Sequence, residues 1–291
     1  MAEVQEAAPP GGVRGSAPPC FPHPNPLEYA TPNTENPPVA NLTGKIAWIT
    51  GAGSGIGEAA ALALAEDGAT VILTGRTASK LENVARRIHN STGEAHVQPA
   101  DLTDKDQVRR VGAYIKATFN RLDILVNNAG VNIVDRHWDK LTPESIDTMV
   151  HGNLTGALYC VTVALPFMRA QQDGIIIHTA SMAGRFIGGV SGPIYVAAKH
   201  GIVAMSHGLN MEECVNGIRS TVFLPGEVAT PILDQRPNPV PPEVRARMVQ
   251  PADCGDLIRY IVNLPRHVVM NEVHLAPTHN RGYVANLQRR L

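Results

Sequence analysis

From Lys45 onward, short β-branched runs alternate with longer Ala-rich or amphipathic stretches, and this alternation limits the chain to one class of fold. The runs occupy residues 45–50, 70–74, 95–98, 124–127, 174–179, 220–224 and 272–275. Helices are expected over residues 55–67, 79–90, 104–120, 142–169, 195–215 and 252–264. Strands buried on both faces and separated by helices require right-handed crossovers, so the expected fold is α/β with a doubly wound parallel sheet. Ahead of it, 10 of the 23 prolines fall between Pro9 and Pro38 without apolar periodicity. Residues 1–41 therefore read as a Pro-rich flexible or extended arm, and residues 42–291 as a single domain. A leader without function is the simplest reading of the arm. The other is a segment that packs on a neighbouring subunit through Phe21 and Tyr29.

Charge and composition exclude several classes of function. A formal net charge of -1 and a sequence pI near 6.8 give no field for a phosphate backbone or an anionic membrane, so no nucleic acid and no membrane partner is expected. No stretch approaches the roughly 18 apolar residues of a spanning helix, and the start lacks a basic-then-apolar leader, so a cytoplasmic protein is expected. Cys20, Cys160, Cys214 and Cys254 are scattered as reduced thiols would be. The 11 histidines form no two-His helical motif with an acid, so no metal site is expected.

The first run leads directly into Thr50-Gly51-Ala52-Gly53-Ser54-Gly55-Ile56-Gly57 and an Ala-rich helix. Such a turn lets Gly51, Gly53, Ser54, Gly55, Ile56 and Gly57 bring backbone amides up to a dinucleotide pyrophosphate. Where the second run ends, the sequence reads Leu73-Thr74-Gly75-Arg76-Thr77, with no carboxylate for a ribose 2′-hydroxyl. Arg76 instead offers donors to a 2′-phosphate, which favours NADP (NADPH) with NAD as the alternative. Asp101 and Leu102 are placed to flank the adenine, although Asp101 equally suits a helix cap.

Tyr195 and Lys199 stand four apart on an expected helix and so share a face. An ammonium beside a phenol favours the phenolate, which brings tyrosine toward useful acid-base chemistry. Ser181 follows the carboxyl end of the fifth run, and Asn127-Asn128-Ala129-Gly130 ends the fourth at the same sheet edge. Asn153, flanked by glycines, sits mid-helix, a costly placement that asks for a local cause. In order and spacing these residues resemble the short-chain dehydrogenase/reductase family, in its branch of roughly 250 residues with a Rossmann-like fold, across residues 42–277.

The resemblance implies an NADP-preferring oxidoreductase acting on a small-molecule secondary alcohol or ketone, such as a β-hydroxy acid or a 3-oxoacyl compound. It implies Tyr195 as general acid-base, Lys199 holding the nicotinamide ribose and lowering the tyrosine pKa, and Ser181 bonding the substrate oxygen. Asn153 would anchor a relay water behind Lys199. Asn127, Asn128, Ala129 and Gly130 would shape the cofactor cleft, with Pro225, Gly226, Val228 and Thr230 against the nicotinamide. A homo-oligomer, tetramer or dimer, is the family's usual state.

Three positions depart from the family pattern. Thirteen residues separate Ser181 from Tyr195, one more than expected, in the Gly-rich stretch 184–192. His151 replaces an aliphatic residue and is read as a packing histidine, with a modified relay as the alternative. Glu227 brings a carboxylate near the cleft, where it would select polar or cationic substrates. Residues 227–250 are expected to form a lid, with Arg185 and Arg236 as candidates to meet an acidic substrate. Thr179 is a weaker substitute for Ser181. The end of the chain, residues 265–277, is similar to that of NADP-dependent 3-hydroxy acid (serine-type) dehydrogenases. A catalytically silent dinucleotide-binding sensor or scaffold is the competing reading, opposed by the complete set of Ser181, Tyr195, Lys199 and Asn153. An epimerase or dehydratase would need a larger substrate domain than the residues after Thr230 can build.

Overall fold

A computed structural model describes residues 41–236 and 240–288. The expected arm lies, apart from Asn41, outside the described residues, and with it Cys20, Phe21 and Tyr29. Seven strands, β1 (Ile46–Thr50), β2 (Thr70–Thr74), β3 (Glu94–Val97), β4 (Ile124–Asn127), β5 (Gly174–Thr179), β6 (Ile218–Pro225) and β7 (Glu272–Leu275), form one sheet. Their order is β3-β2-β1-β4-β5-β6-β7, and every pairing is parallel. The helices are α1 (Gly55–Glu66), α2 (Ala78–Asn90), α3 (Lys105–Thr118), α4 (Pro143–Val150), α5 (Gly156–Gln171), α6 (Pro193–Glu213), α7 (Pro242–Arg245), α8 (Pro251–Val262) and α9 (Arg281–Gln288). Among the described residues no helix is long and apolar enough to cross a membrane.

The strands are apolar throughout because both faces of the sheet are covered. On one face Ile49, Val71, Val126 and Ile177 pack against α1, α2 and α8. On the other, Trp48, Ile72, Leu125 and Ile176 pack against α3 and α5. Trp48 is fully buried, and its indole N–H donates to the Thr74 hydroxyl at 2.9 Å, so the one polar atom of the ring is satisfied inside the core. Burial of each such large side chain contributes about 1.5–3 kcal/mol. The reversal of strand order between β1 and β4 opens a crevice at their carboxyl ends, where an open parallel sheet binds ligands.

The strands lie within two residues of their expected bounds, and the helical content departs from expectation in informative places. The single helix expected over 142–169 is α4 and α5 joined by a π-helical turn, His151–Thr155. The short 3-10 turn Pro231–Gln235, α7 and α9 were not expected; they are short, and their proline-rich or polar sequences carry little helical periodicity. Asp104, not Asp101, caps α3 by accepting from the amides of Asp106 and Gln107. Asp101 accepts instead from the amide and hydroxyl of Thr103. Of the expected lid, residues 227–236 and 240–250 are described; they are closed at the base, where Ala229 N–H donates to Val249 O and Val249 N–H to Glu227 O. Leu233, Val240 and Met248 form its small apolar core.

Asp123 fixes the entry to the central strands. Its carboxylate accepts from the amide of Ile46, from Lys45 Nζ and from the fork of Arg121. Burial raises this carboxyl, but the bonds from Arg121, Ile46 and Lys45 together outweigh burial and hold it below the usual carboxylate value. The contribution is therefore complete above the ordinary Asp pKa of about 4 and disappears as pH falls through the lower folded value. Because both cationic partners are substantially exposed, Asp123→Asn is expected to cost only about 1–2 kcal/mol at neutral pH. In chemical denaturation, the gap between the two proteins should close on acidification below about pH 4, and a gap independent of pH would contradict this role.

Candidate active site

Thr50, the last residue of β1, stitches the crevice together. Its hydroxyl oxygen accepts from the amides of Asn128 at 2.9 Å and Ala129 at 3.1 Å, and its carbonyl accepts from the Asn128 side chain at 3.1 Å. The turn after β4 is thereby locked to the turn after β1. A Cβ on Gly57 would stand 2.3 Å from the Gly51 carbonyl oxygen, so only glycine allows α1 to begin this close to the strand. Ser54 holds the N-cap position without a side-chain capping bond, and Gly51, Ser54, Gly55 and Ile56 open onto a cavity of about 290 Å³. Helix-terminal amides in such a cradle suit an anionic pyrophosphate. Gly53 and Gly57 lie behind the turn, Gly53 against Lys80 and Leu81 of α2.

The π turn has a specific occupant. Asn153 is buried there, its side-chain amide donating to the carbonyls of Val131 and Met149 at 2.9 Å each, while its oxygen accepts from the Val131 amide at 3.1 Å. Taking the Met149 carbonyl and pinning Val131 is the local cause that the mid-helix placement demanded. A Cβ on Gly130 would lie 2.9 Å from Asn153 Oδ1 and 3.5 Å from Lys199 Nζ, so this glycine lets the asparagine and the lysine approach the same spot. His151 opens the turn but does not pack. It is exposed, and its Nδ1 bonds the Asp147 carbonyl at 2.7 Å, because a helix position facing solvent is what the altered winding leaves to it.

The first two turns of α6 bring Tyr195 and Lys199 to the cavity beside Ser181 and Thr179 from the end of β5. Ser181 accepts from the Ala183 amide at 3.1 Å, which orients its hydroxyl on the cavity wall it shares with Tyr195. Lys199 is 3% exposed; burial lowers its pKa to about 8, and its Nζ donates to the Thr179 carbonyl at 2.8 Å. Its ammonium lies 5.6 Å from the centre of the Tyr195 ring. Neighbouring His178 is kept neutral, since burial, followed by the charge of Lys199, pushes its pKa down to about 3.

One electrostatic expectation is corrected. The sequence predicts that Lys199 lowers the Tyr195 pKa, yet in the protein alone that pKa is raised. Tyr195 is only partly covered, yet desolvation is the largest influence on its phenol. The opposing pull comes from the nearby Ser181 hydroxyl and then from the charges of Arg136 and Arg236.

Pro225, Gly226, Glu227, Val228 and Thr230, all at or just past the end of β6, form the facing wall. Glu227 is not free to select a cationic group, because it is held by Arg236 at 2.8 Å and by both donor groups of Arg281 from α9. Those bonds, Arg281 first, keep its carboxyl below the ordinary value in spite of burial. Arg185 does not reach the cavity; it is paired with Glu272, which also bonds His207. Arg236 does line it. Asn127 is buried below the cavity, donating to the Ala157 carbonyl. Arg76, Asp101 and Leu102 lie outside the cavity wall, Arg76 exposed just past β2. Asn132, Arg136 and Leu233 line the cavity and went unrecognised, because loops and lids carry no periodicity to mark them.

Comparison with known proteins places this geometry in a family. The profile described as short chain dehydrogenase matches residues 45–240. An uncharacterised oxidoreductase of Staphylococcus aureus strain USA300 is 37% identical over 81% of this chain and 98% of its own length. Among solved structures, a metagenomic short-chain oxidoreductase in complex with NADP is similar at 29% identity and a TM-score of 0.72, covering 81% of this chain and 98% of its own. An alcohol dehydrogenase from the archaeon Thermococcus sibiricus, complexed with 5-hydroxy-NADP, is similar at 27% identity and a TM-score of 0.73, with the same coverage. With the sheet order, the glycine turn and the Ser181, Tyr195 and Lys199 cluster at one crevice, the chain belongs to the short-chain dehydrogenase/reductase family of nicotinamide-dependent oxidoreductases.

Proposed function

We propose that this protein is an NADP(H)-preferring dehydrogenase/reductase that interconverts a small secondary alcohol and its ketone. The observation that carries the reading is the convergence of Ser181, Tyr195 and Lys199 on one wall of the cavity that the glycine turn and the start of α1 close from the other side. The nicotinamide, when bound, supplies or accepts the hydride. Tyr195 gives its phenolic proton to the carbonyl oxygen during reduction, or takes the hydroxyl proton during oxidation. Ser181 donates to the same oxygen and steadies its developing charge. Lys199 holds the nicotinamide ribose and keeps a positive charge behind the phenol. Asn153 positions the Val131 backbone and stands, across Gly130, beside the lysine, where it suits the anchoring of a relay water.

NADP is preferred because of the end of β2. Arg76 is exposed there, makes no ion pair among the described residues, and has no carboxylate beside it to claim a ribose hydroxyl. Lys80, in the first turn of α2, adds a second cation next to Gly53. A planar guanidinium facing a 2′-phosphate makes charge-assisted bonds that a 2′-hydroxyl cannot. The described residues 227–236 and 240–250, closed at their base by the Val228–Val249 bridge, serve as the substrate lid.

Two measurements test the reading. Tyr195→Phe is expected to bind NADPH as the parent does and to lose about 100- to 10,000-fold in kcat, the span of general acid-base catalysis; retained turnover removes Tyr195 from that role. In fluorescence titration the parent should bind NADPH more tightly than NADH, and Arg76→Ala should weaken NADPH by about 10- to 100-fold while sparing NADH. Equal affinities in the parent would refute the NADP preference.

A further inference from the structure

Behind the facing wall of the reaction cavity lies a second cavity of about 280 Å³, between α7 and the start of α9. Glu243 and Val244 of α7, Met248, and Arg281 of α9 are among the residues that line it. Among the described residues lining these two cavities, Glu227 is the one they share. Its side chain therefore divides them, and it carries a guanidinium on each side. Arg236, on the reaction side, donates from Nη1 to Oε1 at 2.8 Å. Arg281, on the rear side, donates from Nε to Oε2 at 2.8 Å and from Nη2 to Oε1. The fork of Arg281 thus takes both oxygens and fixes the plane of the carboxylate, which the single bond from Arg236 does not.

The main chain at Glu227 has little freedom of its own. The Gly226 amide donates to the Leu275 carbonyl at 2.7 Å, and the Glu227 carbonyl accepts from the Val249 amide at 3.1 Å. What remains to be set is the direction of the side chain. Arg281 is itself placed by the start of its helix, where the Asn280 side chain accepts from the Gly282 amide at 2.9 Å, the bond of an N-cap. A cation in the first turn of a helix opposes the helix dipole, and a carboxylate bound by both donors offsets that. We propose that Arg281 is a positioning residue for the substrate wall: standing on the side of Glu227 away from the reaction cavity, it holds the carboxylate in the direction that keeps Arg236 on the cavity lining. The proposal rests on the oxidoreductase reading above, which makes this cavity the substrate site. Loss of Arg281 leaves Glu227 with a single bond, to a side chain that follows the Pro231–Gln235 turn, and leaves Arg236 with a partner that can swing. Binding of the ketone then suffers. Ser181 and Lys199, held by the Ala183 amide and the Thr179 carbonyl, keep their places.

The test uses the full chain with NADPH and three ketone probes: ethyl 3-oxobutanoate, acetophenone and cyclohexanone. Arg281→Gln is expected to raise KM for the probes that are reduced by about fivefold, the scale of a partly exposed ion pair, with kcat and NADPH affinity within about twofold of the parent. Arg281→Lys should fall between the two proteins, and Arg281→Glu, which sets two carboxylates together, should raise KM by about tenfold or more. In a Glu227→Gln background, Arg281→Gln should add less than about twofold, because the two residues act through one contact. Hydrogen exchange of the NADPH-bound proteins gives a readout independent of turnover. Arg281→Gln should speed exchange in residues 227–236 by about fivefold while β1 and β5 keep their parental rates. Parental KM and parental exchange in both Arg281→Gln and Arg281→Glu would overturn the proposal, as would an equal effect of Arg281→Gln with and without Glu227. A fall in kcat alone, or a uniform rise in exchange, would make the role of Arg281 purely structural and overturn it too. Reduction of none of the probes by a parent that binds NADPH would instead overturn the reading of ketone reduction, and the exchange rates would still decide whether Arg281 sets the wall.

Discussion

The bond from the Lys199 ammonium to the Thr179 carbonyl ties helix α6 to the end of β5, and the geometry of the cavity follows from that tie. A lysine buried this deeply must find an acceptor, and the carbonyl at the end of a central strand is one that cannot move away. With α6 held there, Tyr195 one turn earlier faces Ser181, whose hydroxyl is oriented by the Ala183 amide. The Asn153 side chain does the corresponding work on the other flank by pinning Val131, and Thr50 locks the β1 and β4 turns together. Main-chain groups, rather than exposed salt bridges, therefore hold the reacting side chains in place.

Electrostatically, burial governs both members of the Tyr195–Lys199 pair. Burial pushes the Tyr195 phenol up and the Lys199 ammonium down, so each is displaced toward its neutral form. Anionic ligands would reverse the second shift by giving the ammonium a partner. The charges of Arg136 and Arg236 moderate the first. Glu227 is the counterweight of this arrangement, and its partner Arg281 comes from a helix near the end of the chain. The C-terminal residues thereby contribute to the charge balance of a cavity to which they are distant in sequence.

Strand positions, the glycine turn and the pairing of Tyr195 with Lys199 were legible in the sequence because each depends on local periodicity or fixed spacing. Asn153 announced itself as an anomaly, but the π turn it creates depends on a bond to Val131 that no helical pattern encodes. Glu227 and Arg185 were misread for one reason: a charged residue shows its type in sequence but not its partner, and theirs are Arg281 and Glu272, far along the chain. Arg136 was missed because an arginine in an aperiodic loop looks like any solvated cation, and only folding buries it. His151 failed in the opposite direction, read as packed and found exposed, since the π turn shifts the helix face by part of a turn.

The account turns on the balance at Tyr195, where burial outweighs the pull of its neighbours. The direct measurement is a spectrophotometric titration of phenolate in the cofactor-free protein, read as the difference between the parent and Tyr195→Phe so that one of the six tyrosines is isolated. The account predicts that this tyrosine ionises above the ordinary value of about 10. Ionisation clearly below that value in the absence of cofactor would contradict it and return the dominant influence to Lys199.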